Sequence, residues 1–164
     1  MPDLSRPLST RRLGAAAAVA LALTIPAEGL KLTPYYDPPG ILTVCYGHTG
    51  PDVVKGRRYS LDECRGLLNH DMLEALQTVE RCAPGMPAYQ LPAWGDTVYN
   101  VGPSIVCDTS KSTAARLLQS GQWGEACHQL PRWNKARVGG VMVELPGLTK
   151  RRAKALAVCE GRAL

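Results

Sequence analysis

From Leu13 to Ala27 the chain carries no charge, and Arg6, Arg11 and Arg12 precede the run. Wound as a helix, these fifteen residues reach about 22 Å, short of the roughly 30 Å hydrocarbon core of a bilayer. Only Leu13, Val19, Leu21, Leu23 and Ile25 are strongly apolar; seven positions are Ala, and Gly14, Thr24 and Pro26 weaken the run further. At about −0.3 to −0.6 kcal/mol per strongly apolar residue, such a segment enters a membrane by only a few kcal/mol and can leave it again. The arginines hold residues 1–12 on the cytoplasmic side and argue against a buried core helix. A cleaved signal peptide is the competing reading, since Ala20-Leu21-Ala22 has the small-x-small pattern and Ala27 offers a second processing site.

Past Glu28 the pattern changes. Residues 29–32 predict a short helix, broken by Thr33-Pro34 and by Asp37-Pro38-Pro39-Gly40. Ile41 to Tyr46 reads as a strand, and Gly47, Gly50, Pro51 and Gly56 punctuate short strands or hairpins up to Tyr59. Ser60-Leu61-Asp62-Glu63 is a capping box, and Leu61, Cys64, Leu68, Met72, Ala75, Leu76 and Val79 recur at helical spacing. The spacing predicts a long helix over 61–80 and shorter ones near 89–100, 112–119, 122–130 and 149–160. The result is one α+β unit spanning 28–164, with a small β-containing lobe over 28–60 and a larger helical lobe over 61–164. The weakly apolar helix precedes it.

Composition narrows the class. With 164 residues, 45 % apolar and 20 % charged, the chain is a single folded domain, neither disordered nor collagenous. Nineteen basic against fourteen acidic residues give +5, which favours polyanions without choosing among them. Six cysteines, Cys45, Cys64, Cys82, Cys107, Cys127 and Cys159, are widely spaced with no C-x-x-C pair, so disulfides in an oxidising compartment fit better than zinc. Fifteen pairings are open, and no metal or cofactor is called for.

Glu28, Asp37 and Thr43 carry the candidate chemistry. Glycoside hydrolysis needs one protonated carboxyl to donate to the leaving oxygen and one ionised carboxylate on the other side of the sugar. A Glu packed beside Leu30 and Leu32 suits the first role, an Asp in a solvated turn the second, and a Thr on the following strand can hold water. Singly, each has a plainer reading: a first-turn carboxylate, a turn former, a strand residue.

Glu28-Gly29, Tyr36-Asp37 and the run Gly40-Ile41-Leu42-Thr43-Val44-Cys45-Tyr46-Gly47-His48-Thr49-Gly50 resemble the active-site segment of the phage-type lysozymes, glycoside hydrolase family twenty-four. Tyr99-Asn100-Val101-Gly102, Ser112-Thr113, Gly121 with Trp123 and Trp133, and Gly147-Leu148-Thr149 with Arg151-Arg152 extend the resemblance to about residue 160. It implies a lysozyme-like fold with Glu28 as general acid, Asp37 as second carboxylate, Thr43 as water-positioning residue and Asn100 available to substrate. The substrate would be peptidoglycan, cut between N-acetylmuramic acid and N-acetylglucosamine. The adjoining segment 13–27 is similar to those of signal-anchor-release endolysins, which use the host Sec machinery, rest tethered and inactive in the inner membrane, and are freed when a holin depolarises it. Such a protein would then act in the periplasm as a monomer. Ser104 and Ala155 depart from the family pattern, which commonly has Gly and Glu there.

Other residues have plainer roles at this level. His48, in a Gly-rich turn, is a support for the β region or a group behind the catalytic residues. His70 and His128 read as surface residues, Trp94, Trp123 and Trp133 as core, and Lys150, Arg151, Arg152 and Lys154 as a solvated helix face. No motif points to nucleic acid. Two other function classes stay open: a non-catalytic wall-binding or membrane-anchored scaffold, and a lytic transglycosylase, which would need one Glu without the Asp-Thr pair.

Overall fold

The computed structural model describes residues 10–164; of the basic segment 1–12, residues 1–9 lie outside the described residues. Its longest helix is built around the capping box. Ser60 Oγ accepts from the Glu63 amide at 3.1 Å and Glu63 Oε2 accepts from the Ser60 amide at 2.7 Å, which starts α2 (Leu61–Cys82). The helix buries Cys64, Leu68, Met72, Ala75, Leu76 and Val79, the stripe expected from the spacing.

Helix α3 (Leu91–Val101) lies against α2, and Gly95 explains how closely. A Cβ at Gly95 would stand 2.4 Å from Leu76 Cδ2, so only glycine admits this approach. Trp94 fills the space beside it, wholly buried. The remaining helices α4 (Ser104–Cys107), α5 (Thr113–Gln119), α6 (Trp123–Cys127) and α7 (Pro146–Cys159) complete the larger lobe. The predicted helix over 122–130 stops at Cys127 and resumes as a 3-10 turn at Leu130–Arg132, because Pro131 has no amide to continue the ladder.

Helix α1 (Thr10–Thr24) corrects one expectation. It packs on α2, α3 and α7 with Ala16, Ala20, Leu23 and Thr24 buried, so in this structure the uncharged segment is a core helix despite its arginines. Arg11 and Arg12 remain in solvent at its first turn, where burial asks nothing of them. Among the described residues no helix is long and apolar enough to cross a membrane.

The small lobe is a three-stranded antiparallel sheet, β1 (Lys31–Tyr36), β2 (Leu42–Cys45) and β3 (His48–Thr49), in sequential order. The helix expected over 29–32 is instead the start of β1, because pairing of Lys31 with Cys45 and Tyr35 with Thr43 overrides a weak local preference. Pro34 is tolerated because β1 is an edge strand and the register shifts between Lys31 and Tyr35. A second hairpin, β4 (Lys135–Val138) with β5 (Val141–Glu144), corrects the picture of an all-helical second lobe. Gly139 and Gly140, with φ of 56° and 83°, form its two-residue turn.

Three disulfides tie these pieces. Cys45–Cys64 joins β2 to α2, Cys82–Cys107 joins the end of α2 to α4, and Cys127–Cys159 joins α6 to the end of α7. No cysteine is left free.

Candidate active site

Pro26 ends α1, and the amides of Ala27 and Glu28 both donate to the Thr24 carbonyl at 3.0 Å. This turn delivers Glu28 to the join between the lobes. Its Oε1 accepts from Arg151 Nη1 at 2.7 Å, and its Oε2 lies 3.7 Å from where a Cβ would stand on Gly47, the β2–β3 turn residue with φ 85°. Glu28 is therefore held by a cation and open to solvent on one side, at 23 % exposure. The expected apolar seat is absent: Leu30 is exposed, and Arg151 is the partner instead.

Arg151 is itself secured. Its Nε and Nη2 both reach Asp96, at 3.0 and 2.7 Å, and Asp96 is wholly buried on α3. The guanidinium that faces Glu28 thus has its charge already balanced by Asp96. Arg152, also buried, donates Nε to the Trp133 carbonyl at 3.0 Å and Nη2 to the Asn100 side-chain oxygen, while its Nη1 comes only within 3.9 Å of Asp96. Burial draws Arg152 down to about 10. Burial likewise works against Arg151, but bonds to Asp96 and then Glu28 outweigh it and raise its pKa. These two arginines correct the solvated-face reading; Lys150 and Lys154 are the exposed members of that cluster.

Asp37 shapes the turn that closes β1 onto β2. Its Oδ1 accepts from the Ile41 amide at 2.8 Å, and its carbonyl accepts from the Gly40 amide at 2.8 Å. Its Oδ2 lies 3.4 Å from Thr43 Oγ1, and the Thr43 hydroxyl, 3 % exposed, also reaches the Ile41 carbonyl at 3.0 Å. The structure therefore brings Asp37 and Thr43 together. No hydrogen bond among the described residues joins either to Glu28, and a bond there would close the space a sugar needs.

His48 stands behind this sheet, paired with Val44 across β2–β3. Its Nδ1 lies 2.6 Å from Asp71 Oδ2 and its Nε2 3.0 Å from Asp52 Oδ2, so it ties the β lobe to α2 and touches none of the three candidate residues. Burial alone would lower its pKa; the bonds to Asp71 and Asp52 outweigh this and raise it above the ordinary histidine value. Burial raises Asp71, whereas His48 lowers Asp52. Tyr99 donates its hydroxyl to the Tyr46 carbonyl at 2.5 Å, a second tie between lobes, and burial pushes its pKa up. A cleft of about 390 Å³ opens between Gly47 and Thr49 on one side and Asp71, Val98, Tyr99 and Pro103 on the other.

His70, Asp71 and Glu74 place ligand atoms within 4.8 Å of one another on α2. Each already has a partner, His70 with Glu74 at 3.3 Å and Asp71 with His48. Sequence reasoning missed Asp96 and Arg151 as parts of the site. The signal was there: Arg151, Ala155 and Val158 share one helical stripe, and Asp96 lies inside an apolar run.

Comparison with known proteins places the chain in a family. The phage lysozyme family pattern matches residues 26–155. The chain is 36 % identical over 152 residues to a SAR-endolysin of Bacteriophage PS119, covering 89 % of this chain and 87 % of the relative. It is 33 % identical over 165 residues to the SAR-endolysin of Enterobacteria phage P21, covering 96 % of each. The active form of the P1 phage endolysin Lyz superposes with a TM-score of 0.72 at 22 % identity, over 94 % of both chains, which speaks for the fold. The chain belongs to the phage lysozyme family.

Proposed function

We propose that the protein is an endolysin muramidase in which Glu28 is the general acid, Asp37 the second carboxylate and Thr43 the residue that holds water. Glu28 donates its proton to the glycosidic oxygen between N-acetylmuramic acid and N-acetylglucosamine as the C1–O bond breaks. Water adds to C1, and its proton passes to carboxylate, so that one water is consumed per bond cut. The observation that carries this reading is the contact of Asp37 with Thr43, with Glu28 held separately by Arg151 at the same sheet. Asn100, its oxygen engaged by Arg152, has its amide nitrogen to offer a sugar, and His48 acts from behind by fixing the β lobe.

The segment 13–27 we assign to tethering and release. The chain is exported through the host Sec machinery, rests in the inner membrane, and leaves it when a holin depolarises the bilayer; it then acts on peptidoglycan in the periplasm as a monomer. Similarity to SAR-endolysins over 96 % of the chain supports this, as do the buried Ala16, Ala20 and Leu23, whose loss by cleavage would open the core. No cysteine precedes Cys45, so thiol exchange within the segment is not the trigger.

A turbidity assay on outer-membrane-permeabilised cells, with reducing-end analysis of the muropeptides, tests the reaction. Hydrolysis gives new reducing ends; anhydro products mean transglycosylation, and no products mean a scaffold. Glu28→Gln should abolish lysis while leaving the fold intact.

A further inference from the structure

Thr24 is the one polar side chain between Leu13 and Ala27, and it is wholly buried at the end of α1. Its Oγ1 lies 2.7 Å from Asp96 Oδ1 and 2.9 Å from the Ala20 carbonyl. From Asp96 the connection continues through the hydrogen bonds from Arg151 Nε and Nη2, and from Arg151 Nη1 to Glu28 at 2.7 Å.

We propose that Thr24 is a positioning residue for Glu28, its hydroxyl acting through Asp96 and Arg151. The inference rests on the assignment of Glu28 as general acid.

The chemistry of the hydroxyl suits both environments of the segment. In lipid its proton can go back to the Ala20 carbonyl four residues earlier, leaving nothing unsatisfied. In the folded protein the shorter and ionised acceptor is Asp96, which takes the proton and leaves Ala20 to its helix. Asp96 Oδ1 then holds Thr24 and Arg151 Nη2 at fixed angles, which aims the third nitrogen, Nη1, at Glu28. Arg151 is 5 % exposed, so no water substitutes for a lost partner, and the guanidinium fork turns as a rigid unit. Backbone fixes Glu28 relative to Thr24 as well, through the 3.0 Å bond from the Glu28 amide to the Thr24 carbonyl. The end of α1 therefore sets both the backbone and the side chain of the acid.

The test uses the full-length chain in its soluble, released form, with Thr24→Val, which keeps the shape without the hydroxyl, Thr24→Ser, which restores it, and Glu28→Gln as control. The substrate is soluble, uncross-linked glycan strands, assayed well below the melting temperature of each variant. Misplacement of a reacting group by about 1 Å costs up to 10²-fold in rate, so Thr24→Val should lower kcat by about tenfold with KM within twofold. Thr24→Ser should recover most of the loss. The Arg151 Nε–H resonance should shift in Thr24→Val and return in Thr24→Ser. If Thr24→Val does not fold, Thr24→Ala takes its place in the same comparison. A wild-type kcat without the hydroxyl, equal losses in Val and Ser, or an unmoved Arg151 resonance would overturn the proposal. An active Glu28→Gln would instead overturn the acid assignment, and the Arg151 resonance would still report on the Thr24 contact.

Discussion

Asp96 and Arg151 meet through Nη2 to Oδ1 at 2.7 Å and Nε shared between Oδ2 at 3.0 Å and Oδ1 at 3.1 Å, with both side chains out of water. Removing Asp96 leaves two buried guanidiniums, Arg151 with only Glu28 as a carboxylate partner and Arg152 with only the neutral oxygens of Trp133 and Asn100. Asp96→Asn should therefore cost about 3–5 kcal/mol in urea unfolding. Glu28→Gln should cost less than about 1 kcal/mol, because Arg151 keeps Asp96. Equal losses in the two variants would mean that Asp96 does not anchor the pair.

His48 makes stability depend on pH. Its pKa in the folded protein is raised, so its contribution is fully present below the unfolded value of roughly 6.5 and is lost as pH rises through the folded value. On the acid side the limit is set by Asp71, which burial raises; Asp52, lowered by His48, stays ionised further down. The wild-type advantage in melting temperature over His48→Asn should be largest in mildly acidic buffer and shrink toward alkaline pH. A constant difference across that range would contradict the pairing.

Cys45 carries φ 62°, a left-handed conformation rare for a residue with a side chain, at the turn that abuts Glu28. Its disulfide to Cys64 on α2 helps hold that turn. Replacing both by Ala should remove about 3 kcal/mol, the expectation for a loop of this order, and lower activity as well as stability. A non-reducing peptide map should return the pairs 45–64, 82–107 and 127–159.

Ala20 has no exposed surface and sits where α1 meets the core. Ala20→Leu makes the segment more apolar and so a better membrane anchor, yet the larger side chain overpacks the docked helix by about 1–3 kcal/mol. The variant should be exported, remain with the membrane fraction longer, and lyse cells later than wild type after depolarisation.

Much of this was legible in the chain. The capping box at Ser60 and the stripe through Val79 specify α2 locally, and the resemblance of the segment around Glu28, Asp37 and Thr43 to the phage-type lysozymes singled out an Asp and a Thr that the structure brings together, with Glu28 at the join between the lobes. Less legible was anything fixed by distant partners. The chain at 29–32 becomes a strand only because Lys31 finds Cys45, and the arginines at 151 and 152 look solvated until Asp96, more than fifty residues earlier, is brought to them. The β4–β5 hairpin is a different case: Gly139-Gly140 between Val138 and Val141 is a hairpin signal in plain view, outweighed by the helical pattern around it. For α1 the sequence gives two environments at once, since a run of alanines that is marginal in lipid is also small enough to pack tightly on α2 and α3.

That double fitness makes the fate of residues 13–27 decisive. Intact-mass measurement of the soluble, lytically active species recovered from the periplasm should return a chain that retains the whole segment, with Ala20, Leu23 and Thr24 still available to the core. An active species beginning at Leu23 or Glu28 would contradict release of an anchor that then becomes part of the enzyme.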